Sequence, residues 1–304
     1  MTTRPATAAV DAGSTGPQVG YYGKPIVRPH IWNDSIAWYF FTGGLAGASS
    51  VLAAAAELGG RPSLARHARR AAMVGLLPSP VFLIVDLGRP GRFYNMLRVF
   101  KPTSPMSVGS WLLSAYAPAA GGSWVLRELG LLPRLGRGLG VAAGVIGPSI
   151  ATYTAVLVAD TATPVWHEGR RELPFVFASS ALASAGAATN LLAGLEGVGA
   201  PIAGRLAAAG VGAELASVEV MRRRLGDLDT YSSDPSTRRF AHAATALSLG
   251  GAVAALLSRR RLSTIIGSLA VLAGSVCERF AVVRAGTASA SDPASVLTQQ
   301  RRPR

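Results

Sequence analysis

The sequence has little that could bind a metal centre. It contains a single cysteine, Cys277, whereas an iron–sulfur cluster needs about four thiolate ligands. Its four histidines, at positions 30, 67, 167 and 242, fall in loops or near the ends of predicted helices. A membrane haem usually needs a facing pair of histidines inside a helix bundle. The chain is therefore expected to hold no haem and no iron–sulfur cluster of its own.

Charged residues are scarce for a chain of this length. Only 15% of the 304 residues are charged and 49% are hydrophobic, and the mean hydropathy is +0.33. This balance is typical of a membrane protein rather than of a soluble domain. The 35 glycines favour helices that approach one another closely through small residues, as they do in lipid.

The net charge of +14 does not indicate nucleic-acid binding. Lys and Arg lie in short clusters between apolar runs, where they act as topology signals. Residues 1–20 contain no apolar core of a signal peptide, so no cleaved signal is expected. Residues 1–33 are interpreted as an N-terminal arm followed by an interfacial segment.

Apolar runs predict about eight transmembrane helices. They are expected over residues 35–57, 71–85, 106–126, 139–158, 173–192, 202–220, 240–257 and 262–283. An even number of spans puts both termini on one side, which also holds the larger share of the Lys and Arg residues. The positive-inside rule then predicts a multi-pass protein of the plasma membrane with cytoplasmic termini. The small, polar tail at 285–304 is predicted to be disordered.

An apolar run ends at Asp86, and a polar loop follows at once. An ionisable group at the edge of the hydrocarbon is costly unless it is paired or faces water. Asp86 is therefore a candidate functional residue, with Arg89 or Arg92 as its partner; the alternative is a salt bridge that only fixes the loop. Pro78 and Pro80 interrupt the preceding span, which indicates either a ligand-lined site or a plain kink.

A second carboxylate, Glu214, lies deep inside the sixth predicted span. A buried carboxylate in a membrane helix is expensive and often functional, so Glu214 is a candidate for a proton pathway. The alternative is an ion pair with an arginine near the helix end, such as Arg222.

Three segments carry a resemblance to a known family. They are residues 38–47 (WYFFTGGLAG), 86–97 (DLGRPGRFYNML) and 104–111 (SPMSVGSW). This combination resembles the NrfD / polysulfide reductase membrane-subunit (PsrC-like) family, and the likeness covers roughly residues 30–285. The block from 86 to 107 is the specific part, whereas the glycine and alanine runs are not.

The resemblance implies an all-α, polytopic subunit with eight helices in two four-helix bundles, at 34–159 and 160–284. The first bundle is the quinone side, and menaquinone is the expected quinone. Such a subunit docks a ferredoxin-like four-cluster iron–sulfur subunit, which in turn serves a molybdopterin catalytic subunit. The chain would then be a quinone-reactive part of an oxidoreductase embedded in membrane lipid, not a stand-alone enzyme.

The resemblance also implies roles for individual residues. In that family the quinone is held by a His and an Asn near the first helix and by a Tyr from a later span, which makes His30, Asn33 and Tyr153 the candidates here. Asp86 or Glu214 would pass protons, and Arg89 would keep the carboxylate ionised or hold the loop against the partner.

The residues leave two other interpretations of the function open. Broken helices and intramembrane carboxylates also mark transporters and ion-translocating modules. A passive anchor that tethers a redox enzyme and binds nothing is the third possibility.

Overall fold

The computed structural model describes residues 32–87, 91–257 and 260–301. Within these ranges every regular element is helical and no strand is present. The predicted fold class, an all-α polytopic membrane protein, is confirmed.

The helices are numbered in chain order. They are α1 (Ser35–Leu58), α2 (Pro62–Leu76), α3 (Ser79–Asp86), α4 (Gly91–Met96), α5 (Pro105–Glu128), α6 (Pro133–Ala159), α7 (Pro164–Glu168), α8 (Leu173–Leu195), α9 (Pro201–Leu225), α10 (Thr230–Ser233), α11 (Pro235–Leu257), α12 (Arg261–Ser291) and α13 (Pro293–Arg301).

Six helical stretches of the described chain are long and apolar enough to cross a membrane. They are α1, α2 with α3, α6, α8, α11 and α12. The other two predicted spans correspond to α5 and α9, which are 24 and 25 residues long but less apolar. In α9 the lower hydropathy comes partly from the charged residues Arg205, Glu214 and Glu219.

The long helices pack as two neighbouring sets. In the first helical group, α1 to α6, α1 packs against α2 and α6, and α5 packs against α6. In the second helical group, α8 to α12, α8 packs against α9 and α12, and α11 packs against α12. The groups meet where α1 contacts α8 and α12. The central position of α1 explains why most of its residues are buried.

Close contact between α1 and α6 depends on glycine at the crossing point. A Cβ atom added to Gly47 would overlap the carbonyl oxygen of Gly147, and a Cβ on Gly147 would overlap that of Gly47. The two backbones can therefore touch only because neither residue has a side chain. Gly43, on the same helix, has no heavy atom within 4 Å of its Cβ position.

Gly47→Ala is expected to lower the free energy of unfolding by about 2 kcal/mol, because the new methyl group forces α1 and α6 apart. Gly43→Ala is the matched control and should be neutral or mildly stabilising, since alanine is the better helix former. Thermal unfolding of both variants in the same detergent measures the difference. Equal midpoints for the two variants would contradict the close crossing.

The second span is interrupted between α2 and α3, at Leu77 and Pro78. The Ser79 hydroxyl lies 2.7 Å from the Gly75 carbonyl oxygen and 2.9 Å from the Thr42 hydroxyl of α1. A side chain at the start of α3 thus satisfies a backbone carbonyl of α2 at the break. This arrangement favours the plain kink over a ligand-lined break.

The prediction of a disordered tail from residue 285 is wrong as far as residue 301. α12 continues to Ser291 and α13 follows it. Gly286 packs directly beneath the indole of Trp166, where a Cβ would overlap the ring, and the Thr230 hydroxyl donates to the Ala285 carbonyl at 3.0 Å. The tail has small residues because it packs closely against neighbours, not because it is a linker.

An ion network lies at the end of the molecule opposite the start of α1, where it joins α2 to the ends of α5 and α8. Glu196, directly after α8, contacts Arg66, His67 and Arg70 of α2. Arg70 also pairs with Glu128, at the end of α5, at 2.9 Å. The hydrogen bond from His67, with the Arg70 and Arg66 charges, holds the pKa of the Glu196 carboxyl below its usual value. The network therefore ties the two helical groups together at this end.

Candidate functional site

Asp86 lies beside the start of α1. The backbone N–H of Asn33 donates to Asp86 Oδ1 at 3.2 Å, which joins positions that are 53 residues apart. The Asp86 side chain is half-buried and Asn33 is exposed. His30 and Arg89 lie outside the described residues, as does the side chain of Arg92. Among the described residues, Asn33 is the hydrogen-bond partner of Asp86.

Tyr153 lies near the end of α6. The Tyr153 ring lies so close to Gly109 of α5 that a Cβ atom on that glycine would overlap the ring. The centroids of the Tyr153 and Tyr39 rings are 6.5 Å apart. The tyrosine is half-buried. Within the described part of the chain, neither its hydroxyl nor the side-chain amide of Asn33 has a hydrogen-bond partner.

These residues lie at the same end of the first helical group, where α1 begins and where α3 and α6 end. Trp32, Leu83 and Tyr153 all pack against one large apolar cluster, which extends from α1 and α6 into α8, α9 and α12. We call Asn33, Asp86 and Tyr153 the Asp86 cluster. Of these three sequence-predicted residues, the structure joins Asn33 and Asp86 by a hydrogen bond and places Tyr153 at the same end of the helical group, beside Tyr39 and Gly109.

An aromatic surface lies on the same end of α1. Trp38 is 39% exposed. Its indole is stacked on Phe82 of α3 at 6.1 Å and meets Phe280 of α12 edge-on at 5.9 Å. A flat apolar ring could rest against this surface within one helical turn or two of Asn33.

Glu214 lies midway along α9 and is only 3% exposed. It does not pair with Arg222, because the Arg222 guanidinium binds Asp229 instead, with 3.2 Å between Nε and Oδ2. The alternative of an ion pair at the helix end is therefore wrong.

Glu278 and Arg279 of α12 are the electrostatic neighbours of Glu214. They are 4% and 1% exposed. Arg279 donates to the Phe177 carbonyl at 3.1 Å, and its guanidinium carbon lies 3.9 Å from the centre of the Phe177 ring. We call Glu214, Glu278 and Arg279 the buried charge cluster.

The sequence-based reading missed the depth of Glu278 and Arg279, because it ended the last span at residue 283. α12 continues to Ser291, so Glu278 lies about 20 Å inside the helix end. The signal that could have corrected the boundary is Pro293, the first proline after Arg261, since proline stops helices.

A polar cavity of about 60 Å³ adjoins the buried charge cluster. Its lining includes Glu214, Glu278, Tyr231, His242 and Arg222. A cavity of this size and polarity can hold water that bridges carboxylates and hydroxyls. The cavity is thus lined by ionisable and hydroxyl groups from α9, α10, α11 and α12.

A model of the family described as "Polysulphide reductase, NrfD" matches residues 26–200, which is more than half of the chain. The chain belongs to the polysulphide reductase NrfD family. A comparison with curated proteins gives no match. The NrfD chain is therefore a polysulphide reductase-like membrane protein.

The NrfD match covers one of the two clusters. Asn33, Asp86 and Tyr153 lie within residues 26–200, whereas the buried charge cluster lies beyond them. The Asp86 cluster is therefore the candidate site supported by both the family match and the geometry.

Proposed function

We propose that this NrfD chain is the quinone-reactive membrane subunit of a multisubunit oxidoreductase. The observation that carries the proposal is the hydrogen bond from Asn33 to Asp86, inside the matched region, at the end of the first helical group that also holds Tyr153. The substrate would be a membrane quinone, with menaquinone as the expected species.

The residues of the Asp86 cluster fit a quinone head group. The Tyr153 hydroxyl and the Asn33 side-chain amide are available to donate hydrogen bonds to quinone carbonyls. The exposed face of Trp38 offers a surface for the ring. Asp86, held by the Asn33 N–H, could take up or release a proton. A bound quinone would supply the two-electron redox chemistry, while the protein residues bind, orient and exchange protons.

Electrons would come from or go to a partner. A chain with one cysteine cannot ligate a cluster of its own, so a ferredoxin-like four-cluster iron–sulfur subunit would contact it at the membrane surface. A molybdopterin catalytic subunit would complete the assembly. This arrangement is the one that the family membership favours.

Tyr153→Phe is expected to weaken binding of a menaquinone analogue about fivefold, because one neutral hydrogen bond to the quinone is lost. Tyr231→Phe, the same chemical change in the second helical group, is the control and should bind as the wild type does. Titration followed by quenching of tryptophan fluorescence measures the affinity.

Two outcomes would count against the proposal. Unchanged affinity in Tyr153→Phe would exclude the hydroxyl as a quinone ligand. A wild-type chain that binds no quinone, while still capturing an iron–sulfur partner, would support the passive anchor instead.

The second helical group supports an additional role in moving protons or other ions. The buried charge cluster and its polar cavity supply ionisable groups inside the membrane-spanning part, as ion-translocating proteins require. Proton uptake by liposomes that depends on quinone would favour coupled translocation. Ion flux that is independent of quinone would favour the alternative that the chain is a transporter.

A further inference from the structure

A wide crevice of the second helical group lies far from the Asp86 cluster. It has a volume of about 570 Å³ and is found where α8 and α11 end and where α9 and α12 begin. Two arginines, Arg205 and Arg261, line it, and no carboxylate is among its described lining residues. We call it the basic crevice.

Arg261 is held in place by the end of α8. Its Nε donates to the Gly194 carbonyl at 2.8 Å, and one terminal nitrogen donates to the Leu195 carbonyl. The other terminal nitrogen is left on the side of Gly197. The guanidinium is thus positioned before any ligand binds. Arg205 is exposed and has no partner among the residues that the structure describes.

The backbone adds further donors. The N–H groups of Gly199 and Ala200, which both line the basic crevice, make no hydrogen bond within the described chain. They come directly before Pro201, where α9 begins, and the start of a 25-residue helix carries partial positive charge. The nearest carboxylate in sequence, Glu196, is already bound by Arg66, His67 and Arg70.

The outer side of the basic crevice is apolar. Leu256 and Val198 line the crevice and are 48% and 40% exposed. Because α8 and α11 end here, the crevice lies at the boundary between hydrocarbon and head groups, where a bound anion could be attached to acyl chains.

We propose that the basic crevice binds the phosphate of an anionic phospholipid. Arg205 and Arg261 contact the phosphate oxygens, the N–H groups of Gly199 and Ala200 donate to them, and the acyl chains run along Leu256 and Val198. The site is independent of the quinone and lies at the opposite helix ends from it.

Lipid titration of the full chain in detergent tests the proposal. Added phosphatidylglycerol should raise the midpoint of thermal unfolding, whereas phosphatidylcholine or inorganic phosphate should not. In Arg205→Gln the half-maximal phosphatidylglycerol concentration should rise about tenfold, because a charge-assisted contact is lost. Arg134→Gln, at an exposed arginine of α6 on the same end of the molecule, is the matched control and should behave as the wild type does.

Each contrary result would overturn the assignment in its own way. An equal response to phosphatidylcholine would show that the head-group charge is irrelevant. A rise with inorganic phosphate alone would identify a site for the free ion instead of a lipid. An unchanged midpoint concentration in Arg205→Gln, or an equal rise in Arg134→Gln, would place the lipid elsewhere.

Discussion

Replacing Arg279 by methionine is expected to destabilise the protein by about 3–5 kcal/mol. The substitution removes the cation beside Glu214 and Glu278 and leaves two carboxylates in a buried setting. It also removes the hydrogen bond to the Phe177 carbonyl and the contact with the Phe177 ring. The measurable result is a large loss of monodisperse protein after extraction and a lower midpoint of thermal unfolding.

Two further variants separate the charge effect from the loss of packing. Arg279→Met combined with Glu278→Gln should recover part of the stability, because one of the two unbalanced carboxylates is removed. Arg284→Met, on the same helix at a side chain that is 38% exposed, should cost about 1 kcal/mol or less. A stable Arg279→Met protein, or a double variant no better than the single one, would show that the cluster is not held together by charge.

Asp86→Asn is expected to reduce quinone-linked turnover of the assembled complex by about 100-fold or more, because the side chain can no longer accept and release a proton. The asparagine keeps an oxygen that can accept from the Asn33 N–H, so the local structure and the assembly should persist. Turnover with a quinol substrate and copurification of the partner subunits are measured on the same membranes.

Asp160→Asn is the control for this experiment. Asp160 is an exposed carboxylate directly after α6, at the same end of the molecule, and its replacement should leave turnover unchanged. Normal turnover in Asp86→Asn would reduce Asp86 to a structural contact that fixes the start of α1. Loss of the partner subunits in Asp86→Asn, together with loss of turnover, would likewise exclude a role limited to proton transfer.

The sequence predicted the positions of the helices well and their ends less accurately. Long apolar runs indicate buried or lipid-facing helices because every backbone polar group in hydrocarbon must be paired within the helix. All eight predicted spans coincide with helices of the described chain. Their boundaries were less certain: α2 begins at Pro62, ahead of the predicted start at residue 71, and α12 runs eight residues beyond its predicted end at 283.

The candidate site illustrates the same difference. Asp86 stood out in the sequence because a charge at the end of an apolar run is costly, and Glu214 stood out for its depth. The partners of these two carboxylates could not be identified from the sequence. Arg222 is the closest arginine in sequence to Glu214, yet it binds Asp229, while Arg279 approaches Glu214 from another helix.

The sequence by itself determined that this chain is helical, enters the membrane several times and carries carboxylates at unusual depths, because hydropathy and charge act locally along the chain. Only the tertiary structure decided that Asn33 touches Asp86, that Tyr153 lies at the same end of the first helical group, and that Glu278 and Arg279 lie beside Glu214 in the interior. Helix packing brings together residues that are far apart in sequence, and that packing depends on close contacts such as Gly47 against Gly147.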